Sequence, residues 1–478
     1  MSKEKGTRNQ IGNMEEWAKQ EGLCDGKNEE AEFRPKNALC QPDTRHRAYY
    51  DSARKEYLIK NARGVWISLS ESGFKRRLRS WGYSTKPGDG ELMSDADRKI
   101  VEIQDQFDVT YAGPLAGYRS GFYDEFGVRF LVTESPNIVE AKAGEYPILG
   151  KFLENLFQDP ECDQLPWVLG WLKTAYETLL AQGCRPGQVL VIAGAHDCGK
   201  SLFQKLVTEI LGGRYAKPHQ FMMGETQFNS DLFVAEHLML EDEQASTDLR
   251  ARRNFGARIK DITVNDMQRC HAKNRVPVSL RPFWRLTLTV NDEPENLMIL
   301  PPIDDSIGDK MIIVRAGKKP MPMPTGTLEE RKVFWEKLRS ELPAFLHALL
   351  EWEIPANLRS ERFGIKHFHH PAILGEVDAL APERRLLSLI DGEIFGSDMR
   401  REPWSGSAEE LEAHLRRDAS NCRREAERLF SFNNACAIYL GRLQKKVPGR
   451  ISQQRTSQRR TWTLKAPAAA TSESPAIH

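Results

Sequence analysis

The stretch from Gly194 to Ser201 has the residue types and the spacing that bind a nucleoside triphosphate. It consists of Gly194, Ala195, His196, Asp197, Cys198, Gly199, Lys200 and Ser201. Glycines let backbone N–H groups approach a phosphate without a Cβ clash. Lys200 would place a positive charge on the β- and γ-phosphates, and the Ser201 hydroxyl would ligate Mg²⁺. The stretch therefore predicts ATP and Mg²⁺ as cofactors.

A phosphate-binding loop needs a strand before it and a helix after it. The apolar run 189–193 predicts a buried strand of a parallel sheet. Apolar residues at helical spacing follow the loop and end at Gly212 and Gly213, which predicts an amphipathic helix. Cys198 lies in the loop either as a small residue or as a redox-sensitive thiol. The strand–loop–helix order favours triphosphate binding over a chance match to the motif.

Acidic residues follow a second apolar run, Leu238–Leu240. The carboxyl ends of strands are where an α/β sheet presents catalytic groups. We assign Asp242 to Mg²⁺ and Glu243 to the attacking water, with Glu241 as the competing choice for either role. The three consecutive acids also fit a solvated loop.

Two further segments supply polar side chains. A third apolar run, 286–290, ends at Asn291, whose amide is placed to hydrogen-bond the γ-phosphate or the attacking water. Between the second and third runs, two β-like segments bracket a predicted hairpin tip with His271 and Lys273. Such a tip either tracks the phosphates of a single strand or is ordinary protein surface.

Taken together, these segments resemble the superfamily 3 helicases, AAA+-type ATPases of phages, plasmids and small DNA viruses, and most closely the phage and prophage primase-helicase type. The matching segments are GAHDCGKS (194–201), LMLEDE (238–243), KDITVNDMQRCHAKN (260–274) and LTLTVN (286–291). The resemblance covers residues 166–320. It implies a ring, commonly a hexamer, that hydrolyses ATP at subunit interfaces and moves single-stranded DNA through a central channel. His271 and Lys273 match the channel hairpin.

One position departs from this family. The family supplies an arginine finger shortly after the asparagine, whereas this chain has Lys310 there, and Arg315 lies farther on in a predicted strand. Lysine lacks the planar fork that spreads phosphoryl charge. Either Lys310 acts as the finger or an arginine does, the candidates being Arg253, Arg281 and Arg285.

With the flanking segments included, the predicted fold class is α/β. It consists of an AAA+-type P-loop core with a small α+β N-terminal region and a C-terminal winged-helix-like domain. The predicted division is a flexible lead-in (1–44), the α+β region (45–165), the ATPase domain (166–352), a linker (353–382), the winged-helix-like domain (383–465) and a disordered tail (466–478). Within the α+β region we predict a hairpin that turns at 60–64, followed by a basic helix capped by Ser70 or Ser72. That helix either contacts nucleic acid or presents a solvated face.

Two groups of metal-ligand residues give weak signals. Asp159, Glu161 and Asp163 are the nearest candidates for a primase metal pair, but no strand pattern flanks them. The histidines of 367–370 lack accompanying cysteine or carboxylate spacing. Neither group by itself predicts a metal site.

Positive charge is concentrated near the C-terminus. Three predicted helices, 384–395, 407–418 and 425–446, precede two predicted wing strands. The span 441–460 carries seven basic residues and no acid: Arg442, Lys445, Lys446, Arg450, Arg455, Arg459 and Arg460. Phosphate contacts need such clustering, so we predict DNA binding here, against the alternative of a solvated face.

Composition limits the function classes. The 478 residues carry a net charge of +1, which excludes a uniformly basic nucleic-acid-binding protein. The eight cysteines show no C-x-x-C spacing, and no apolar run approaches membrane-spanning length, so we expect no membrane partner and a bacterial host cytosol.

The preferred function is an ATP-dependent, ring-forming DNA helicase or translocase in replication of a phage, prophage or plasmid-like element. We expect it to form a homo-oligomer and to bind DNA, and a separate primase or other replication proteins are candidate partners. One alternative is a nucleotide-gated regulatory or defence ATPase. A primase–helicase fusion is a third, and it requires metal-binding acids in 45–150 that the sequence does not show.

Overall fold

The computed structural model describes residues 47–183, 185–241, 249–304, 306–379, 381–396, 402–455 and 460–467. The chain falls into two compact units, Met1–Ile373 and Leu374–His478. No helix in the described ranges is both long and apolar enough to cross a membrane. The predicted lead-in and most of the predicted tail lie outside the described residues.

The first described part of the larger unit contains both helices and strands. Its elements are β1 (Ala48–Asp51), β2 (Glu56–Lys60), β3 (Trp66–Leu69), α1 (Glu71–Ser80), α2 (Asp95–Gln106), β4 (Asp108–Val109), β5 (Tyr111–Gly113), β6 (Gly121–Glu125) and β7 (Val128–Val132). The predicted hairpin is confirmed, because β2 and β3 pair antiparallel with Lys60 opposite Trp66. Helix α1 starts after Ser70, whose hydroxyl accepts the N–H of Gly73 at 3.4 Å, so Ser70 rather than Ser72 is the cap.

The rest of this unit is built around a parallel sheet. Its elements are α3 (Pro147–Phe157), α4 (Leu165–Leu180), β8 (Val189–Gly194), α5 (Lys200–Ile210), β9 (Tyr215–Ala216), α6 (His219–Met223), β10 (His237–Leu240), α7 (Leu249–Val264), β11 (Gln268–Cys270), β12 (Val278–Leu280), β13 (Arg285–Val290), α8 (Pro294–Leu297), β14 (Met311–Ala316), α9 (Leu328–Glu351), β15 (Arg359–Ser360), β16 (Gly364–Ile365) and β17 (Phe368–His369). The sheet order is β17-β14-β8-β13-β10-β9, and every pairing is parallel. The predicted mixed α/β class with a parallel sheet is confirmed.

Burial explains the strand sequences. Every residue of β8 and β13 is buried, as expected for central strands covered on both faces. Helices α3, α4, α5 and α9 contribute to the main hydrophobic core against this sheet. The buried carboxylate of Glu341 in α9 accepts the N–H of Leu149 at 2.7 Å, so one helix caps the first turn of another. Helix α9 itself starts with a capping box of Thr327 and Glu330.

Two segments differ from the sequence prediction. Residues predicted as a linker, 353–382, include β17, which extends the parallel sheet through its pairing with β14. The boundary between the units therefore lies after Ile373, because the first part of this segment belongs to the sheet. The basic segment after β10, for which we predicted no helix, forms α7, in which Phe255 and Ile259 are buried.

Helices and a small sheet form the second unit. Its elements are α10 (Pro371–Ala379), which begins just before the boundary, α11 (Pro382–Glu393), β18 (Trp404–Gly406), α12 (Ala408–Arg416), α13 (Arg423–Leu429), α14 (Ala435–Lys446), β19 (Ile451–Arg455) and β20 (Arg460–Leu464). The two predicted wing strands pair antiparallel as β19 and β20. The predicted third helix is wrong as a single element, because the chain leaves α13 at Phe430 and Asn434 has a φ of 64°. Strand β18 pairs with β20 and was not predicted.

Candidate nucleotide and nucleic-acid sites

The predicted phosphate loop lies at the carboxyl end of the central strand β8. Gly194, its first residue, is opposite Ala316 of the neighbouring strand. A Cβ on Gly194 would lie 2.6 Å from the Ala316 carbonyl oxygen, so close strand packing requires glycine here. The loop therefore starts at the carboxyl edge of the sheet, where α/β proteins bind ligands.

The second glycine of the loop sets the start of helix α5. Gly199 has a φ of 107°, and a Cβ there would contact Met321 at 3.0 Å and Phe152 at 3.2 Å. Helix α5 starts at the next residue, and no side chain in the described part of the chain caps its first N–H groups. Open donors at a helix N-terminus favour an anion. The N-terminus of α5 is therefore a candidate site for a phosphate group.

Lys200 is buried and points back into the loop. Its Nζ donates to the Gly194 carbonyl at 2.6 Å, to the Ala195 carbonyl at 2.8 Å and to Asn291 Oδ1 at 3.0 Å. Within the described residues no carboxylate forms an ion pair with this ammonium group. Its positive charge is therefore held by neutral oxygens only, which suits an anionic ligand.

Asn291 reaches Lys200 because of the strand order. Strand β13 pairs with β8 with Val290 opposite Ala193, so the residue after β13 lies beside the beginning of the loop. The sheet thus brings together Lys200 and Asn291, two predicted site residues 91 positions apart. An amide at this place can accept from the lysine and donate to a phosphate oxygen or a water.

The remaining loop residues divide into exposed and buried. Ser201 is exposed in the first turn of α5. His196 and Asp197 are largely exposed and pair with each other, with 2.9 Å between His196 Nδ1 and Asp197 Oδ2. Cys198 is 3% exposed and belongs to the main core, which favours the small-residue interpretation over a redox switch.

The predicted acids are described only in part. Strand β10 pairs with β13 and ends at Leu240, so its carboxyl end is at the same edge as the loop. Glu241, the competing candidate for the catalytic acid, forms an ion pair with Lys217. Asp242 and Glu243 lie outside the described residues.

A buried polar network, which sequence reasoning missed, joins α5 to the strands beneath it. Gln204 Nε2 donates to the Leu240 carbonyl at 3.0 Å and to Thr287 Oγ1 at 2.9 Å. His237 Nε2 is 2.8 Å from the same threonine hydroxyl, and its Nδ1 is 2.8 Å from Thr208 Oγ1. Burial lowers the pKa of His237 to about 3, so this imidazole is neutral. The network fixes the strand ends relative to the loop.

The hairpin of β11 and β12 is confirmed, and Asn229 holds its tip. The Asn229 N–H donates to the His271 carbonyl at 3.1 Å, while the His271 N–H donates to Asn229 Oδ1 at 2.8 Å. The Asn229 side chain also donates to the Arg269 carbonyl at 3.0 Å. Lys273 is exposed at the tip. Asparagine in a loop gave no sequence signal for this role, because its partners are distant in the chain.

An aromatic side chain extends the hairpin surface. Phe228 is 42% exposed and its ring lies 5.0 Å from the His271 ring, edge to face. Arg275 is exposed near the same tip. Neighbouring aromatic and basic groups are the elements that bind single-stranded nucleic acid. Phe228 and Arg275 were not among the predicted site residues.

The candidates for the arginine-finger role lie in different environments. Lys310 is 9% exposed and donates to Asp309 Oδ1 at 2.6 Å, just before β14 and thus at the sheet edge opposite the loop. Arg281 pairs with Asp266. Arg285 is buried, which lowers its pKa to about 9. The side chain of Arg253 lies outside the described residues.

The C-terminal basic residues differ in whether they form ion pairs with acidic residues. Acids within the second unit neutralise three of them: Arg442 lies 3.4 Å from Glu383, Lys446 lies 3.2 Å from Glu383, and Arg450 lies 3.1 Å from Asp391. Three others are exposed and form no ion pair among the described residues: Lys445, Arg455 and Arg460. Arg459 lies outside the described residues. Among the described basic residues of this span, the charge without an ion pair is therefore at the end of α14 and on strands β19 and β20.

Comparison with known proteins gives matches of limited extent. A family profile described as a family of unknown function (DUF5906) matches residues 192–306, a minority of the chain that includes the loop and Asn291. No curated protein matches the sequence.

Among solved structures, an apo structure of the NrS-1 C-terminal region (305–718) aligns over 88% of this chain and 96% of that one, with 13% identity and a TM-score of 0.51. A structure described as the active helicase Cch of SCCmec type IV aligns over 84% and 73% with 8% identity and a TM-score of 0.30, and the JCV helicase over 50% and 60% with 12% identity and 0.25. Only the first of these likenesses is close enough to compare folds. It shows that the chain has the fold of the NrS-1 C-terminal region.

Proposed function

We propose that this chain is an ATP-dependent, ring-forming DNA helicase or translocase that acts in the replication of a phage, prophage or plasmid-like element. The observation that carries the proposal is the contact of Lys200 Nζ with Asn291 Oδ1 at the carboxyl edge of the parallel sheet. A lysine that points into a glycine-bounded loop, beside a strand-end amide, is the arrangement that phosphoryl transfer needs.

In this proposal the residues divide the work of hydrolysis. The free N–H groups of α5 and the Lys200 ammonium bind the phosphates of ATP. Asn291 positions the lysine and the attacking water, and Glu243 orients or deprotonates that water. Ser201 and Asp242 would hold Mg²⁺, which supplies charge neutralisation on the β- and γ-phosphates.

The DNA contacts are proposed for two surfaces. His271 and Lys273 at the hairpin tip, with Phe228 and Arg275 beside them, would contact single-stranded DNA in a central channel. The second unit, which we propose to be a winged-helix-like domain, has helices and a three-stranded sheet of order β18-β20-β19. Its exposed basic residues would contact DNA phosphates.

A complete site requires a neighbouring subunit, and we propose a homo-oligomer, commonly a hexamer in this class, that works with a separate primase. Lys310 is the proposed finger, and it must leave Asp309 to reach a neighbour's γ-phosphate. Arg362 shares that carboxylate at 3.7 Å and has a 40% exposed side chain, so an arginine is available beside the lysine.

The test is ATP turnover with and without single-stranded DNA in Lys200→Ala. We expect DNA-stimulated hydrolysis by the unaltered chain and its loss in this variant. Lys205→Ala is the matched control, because Lys205 is exposed on the same helix and lies 5.0 Å from the Trp335 ring. ATP turnover that does not respond to any DNA contradicts the proposal.

The second candidate is a nucleotide-gated regulatory or defence ATPase that uses the ring as a sensor or scaffold. The burial and ion pairing of Lys310 favour it, since a sequestered finger limits turnover. A strand-displacement assay separates the two functions. ATP-driven unwinding by the unaltered chain excludes the regulator, whereas hydrolysis with no unwinding of any forked substrate excludes the helicase.

A further inference from the structure

The short loop between α3 and α4 brings two metal-ligand side chains to a buried histidine. Ligand atoms of Asp159, Cys162 and His370 all lie within 4.8 Å of one another. The histidine is 208 residues beyond the cysteine, so the sequence alone gives no metal-binding spacing. The three groups belong to the same compact unit.

The side chain of His370 is buried and has no hydrogen-bond partner among the described residues. It is 0% exposed, and neither ring nitrogen forms a hydrogen bond with any described residue. Its Nε2 lies 3.4 Å from Asp159 Oδ2 without hydrogen-bond geometry. Buried polar groups normally have partners, and an orphaned imidazole beside a carboxylate and a thiol is the arrangement that a metal ion satisfies.

Both sides of this cluster are held in place. On the loop, Gln158 and Asp163 form a β-bridge, and Asp159 Oδ1 accepts the Glu161 N–H at 2.8 Å. The buried side chain of Gln164 fastens the end of the loop to β14, donating to the Arg315 carbonyl at 2.6 Å. On the other side, the His370 N–H donates to the Ile313 carbonyl at 2.8 Å. The hydrogen bonds to the edge of the sheet thus hold the ligand residues in place, and contacts among the ligand side chains do not.

The charge of the loop also suits a cation. Asp159, Glu161 and Asp163 lie within five residues, and within the described ranges no lysine or arginine forms an ion pair with any of them.

The donor set and the spacing favour zinc. Thiolate and imidazole ligands select Zn²⁺ over Mg²⁺ and Ca²⁺, which prefer oxygen alone. Nitrogen and oxygen ligands about 2.0 Å from a tetrahedral zinc lie about 3.3 Å apart, close to the observed 3.4 Å. A sulfur ligand lies about 3.6 Å from the other ligand atoms of a tetrahedral zinc, so Cys162 Sγ, within 4.8 Å of them, must approach by no more than about 1.2 Å.

We propose that Asp159, Cys162 and His370 bind one Zn²⁺ ion, with a water in the fourth position. The ion joins the α3–α4 loop to the end of β17, from which α10 leads into the second unit. This site is separate from the proposed Mg²⁺ site at Ser201 and does not depend on nucleotide.

The test measures Zn²⁺ affinity of the full chain by competition with a chromophoric chelator, and thiolate ligation by the absorption spectrum of the Co²⁺ form. We expect tight binding of one ion and a thiolate-to-metal charge-transfer band. Cys162→Ser combined with Asp159→Asn preserves side-chain size and should weaken binding at least about 100-fold and remove the band. His370→Ala is a less suitable variant, because it empties a fully buried position.

Three controls make the result specific. His367→Ala alters an exposed histidine three residues before His370, and Cys422→Ser alters a cysteine of the second unit; both variants should bind Zn²⁺ as the unaltered chain does. Lys200→Ala should keep Zn²⁺ affinity while losing ATP turnover, which separates failure of this site from failure of the proposed function. Equal Zn²⁺ affinity in the unaltered and doubly substituted chains, or a Co²⁺ spectrum without a thiolate band, overturns the proposal.

Discussion

Asn291→Ala tests the interpretation of the strand-end amide most directly. The substitution removes the acceptor that lies 3.0 Å from Lys200 Nζ and leaves the lysine its two loop carbonyls, of Gly194 at 2.6 Å and Ala195 at 2.8 Å. The lysine therefore stays in the loop in the variant. Under the proposed function, the variant loses the orientation that the amide would give to the lysine and to the attacking water.

The size of the effect follows from this geometry. A hydrogen bond to a charged group contributes about 1.5–3 kcal/mol, or roughly 10- to 150-fold. Since two of three acceptors remain, we expect ATP affinity to change by less than about 10-fold. Groups that act mainly in the transition state contribute about 100- to 1,000-fold to turnover. We therefore expect kcat to fall about 100-fold while KM changes little.

Asn291→Asp should weaken ATP binding, which Asn291→Ala is expected to leave largely unchanged. The new carboxylate pairs with Lys200 and competes with the phosphates, so ATP affinity should fall at least about 10-fold. Steady-state ATPase assays and titration with a fluorescent ATP analogue measure both variants. Asn265→Ala is the control, because Asn265 is exposed and donates to Asp261 Oδ1 at 2.7 Å, away from the loop residues named above.

Two results would refute the reasoning. If Asn291→Ala keeps kcat within about twofold of the unaltered chain, the amide takes no part in hydrolysis. If instead its ATP affinity falls as far as that of Lys200→Ala, Asn291 serves nucleotide binding and not the chemical step.

Three more predictions follow from ion pairs and burial. Arg214→Ala leaves the fully buried Glu236 without its guanidinium partner, 2.9 Å away, and should lower the free energy of unfolding by about 3–5 kcal/mol in urea titration. Arg339→Ala breaks a pair between an exposed arginine and the half-buried Glu209, and it should cost less than about 1 kcal/mol. An equal loss in both variants would contradict the burial argument. The pKa of His237 is about 3 in the folded protein and about 6.5 in the unfolded chain, so between these values only the unfolded state binds the proton. The free energy of unfolding should therefore fall by about 2 kcal/mol from pH 7 to pH 5 through this group. His237→Gln should show a flatter pH dependence, and an unchanged slope in that variant would argue against the neutral imidazole. Arg455→Ala and Arg460→Ala should each weaken DNA binding and reduce by about 1 the slope of log affinity for DNA against log salt concentration. Arg442→Ala, which loses a pair with Glu383, should mainly reduce stability. Equal slopes in all three variants would show that β19 and β20 do not contact phosphates.

Local features of the fold could be read from the sequence because they depend on residues close in the chain. A run of apolar residues, two glycines and an amphipathic pattern were enough to predict β8, the loop and α5. Ser70 and the hairpin turn at 60–64 were predicted for the same reason, since caps and turns are short-range hydrogen-bond arrangements. The C-terminal helix break at Asn434 was missed, because the flanking pattern stays helical and only the backbone conformation interrupts it.

The tertiary structure decided what lies beside the loop and which charges are free. Strand order places Asn291 against Lys200, and hydrophobic periodicity carries no information on the order in which strands pair. Ion pairing neutralises Arg442, Lys446 and Arg450, although the sequence shows the same positive charge as at Arg455. His370 reaches Asp159 and Cys162 only because β17 joins the sheet edge, a contact between segments too far apart for any spacing rule. Sequence determines local conformation through neighbouring residues, whereas the site depends on long-range packing that no short pattern encodes.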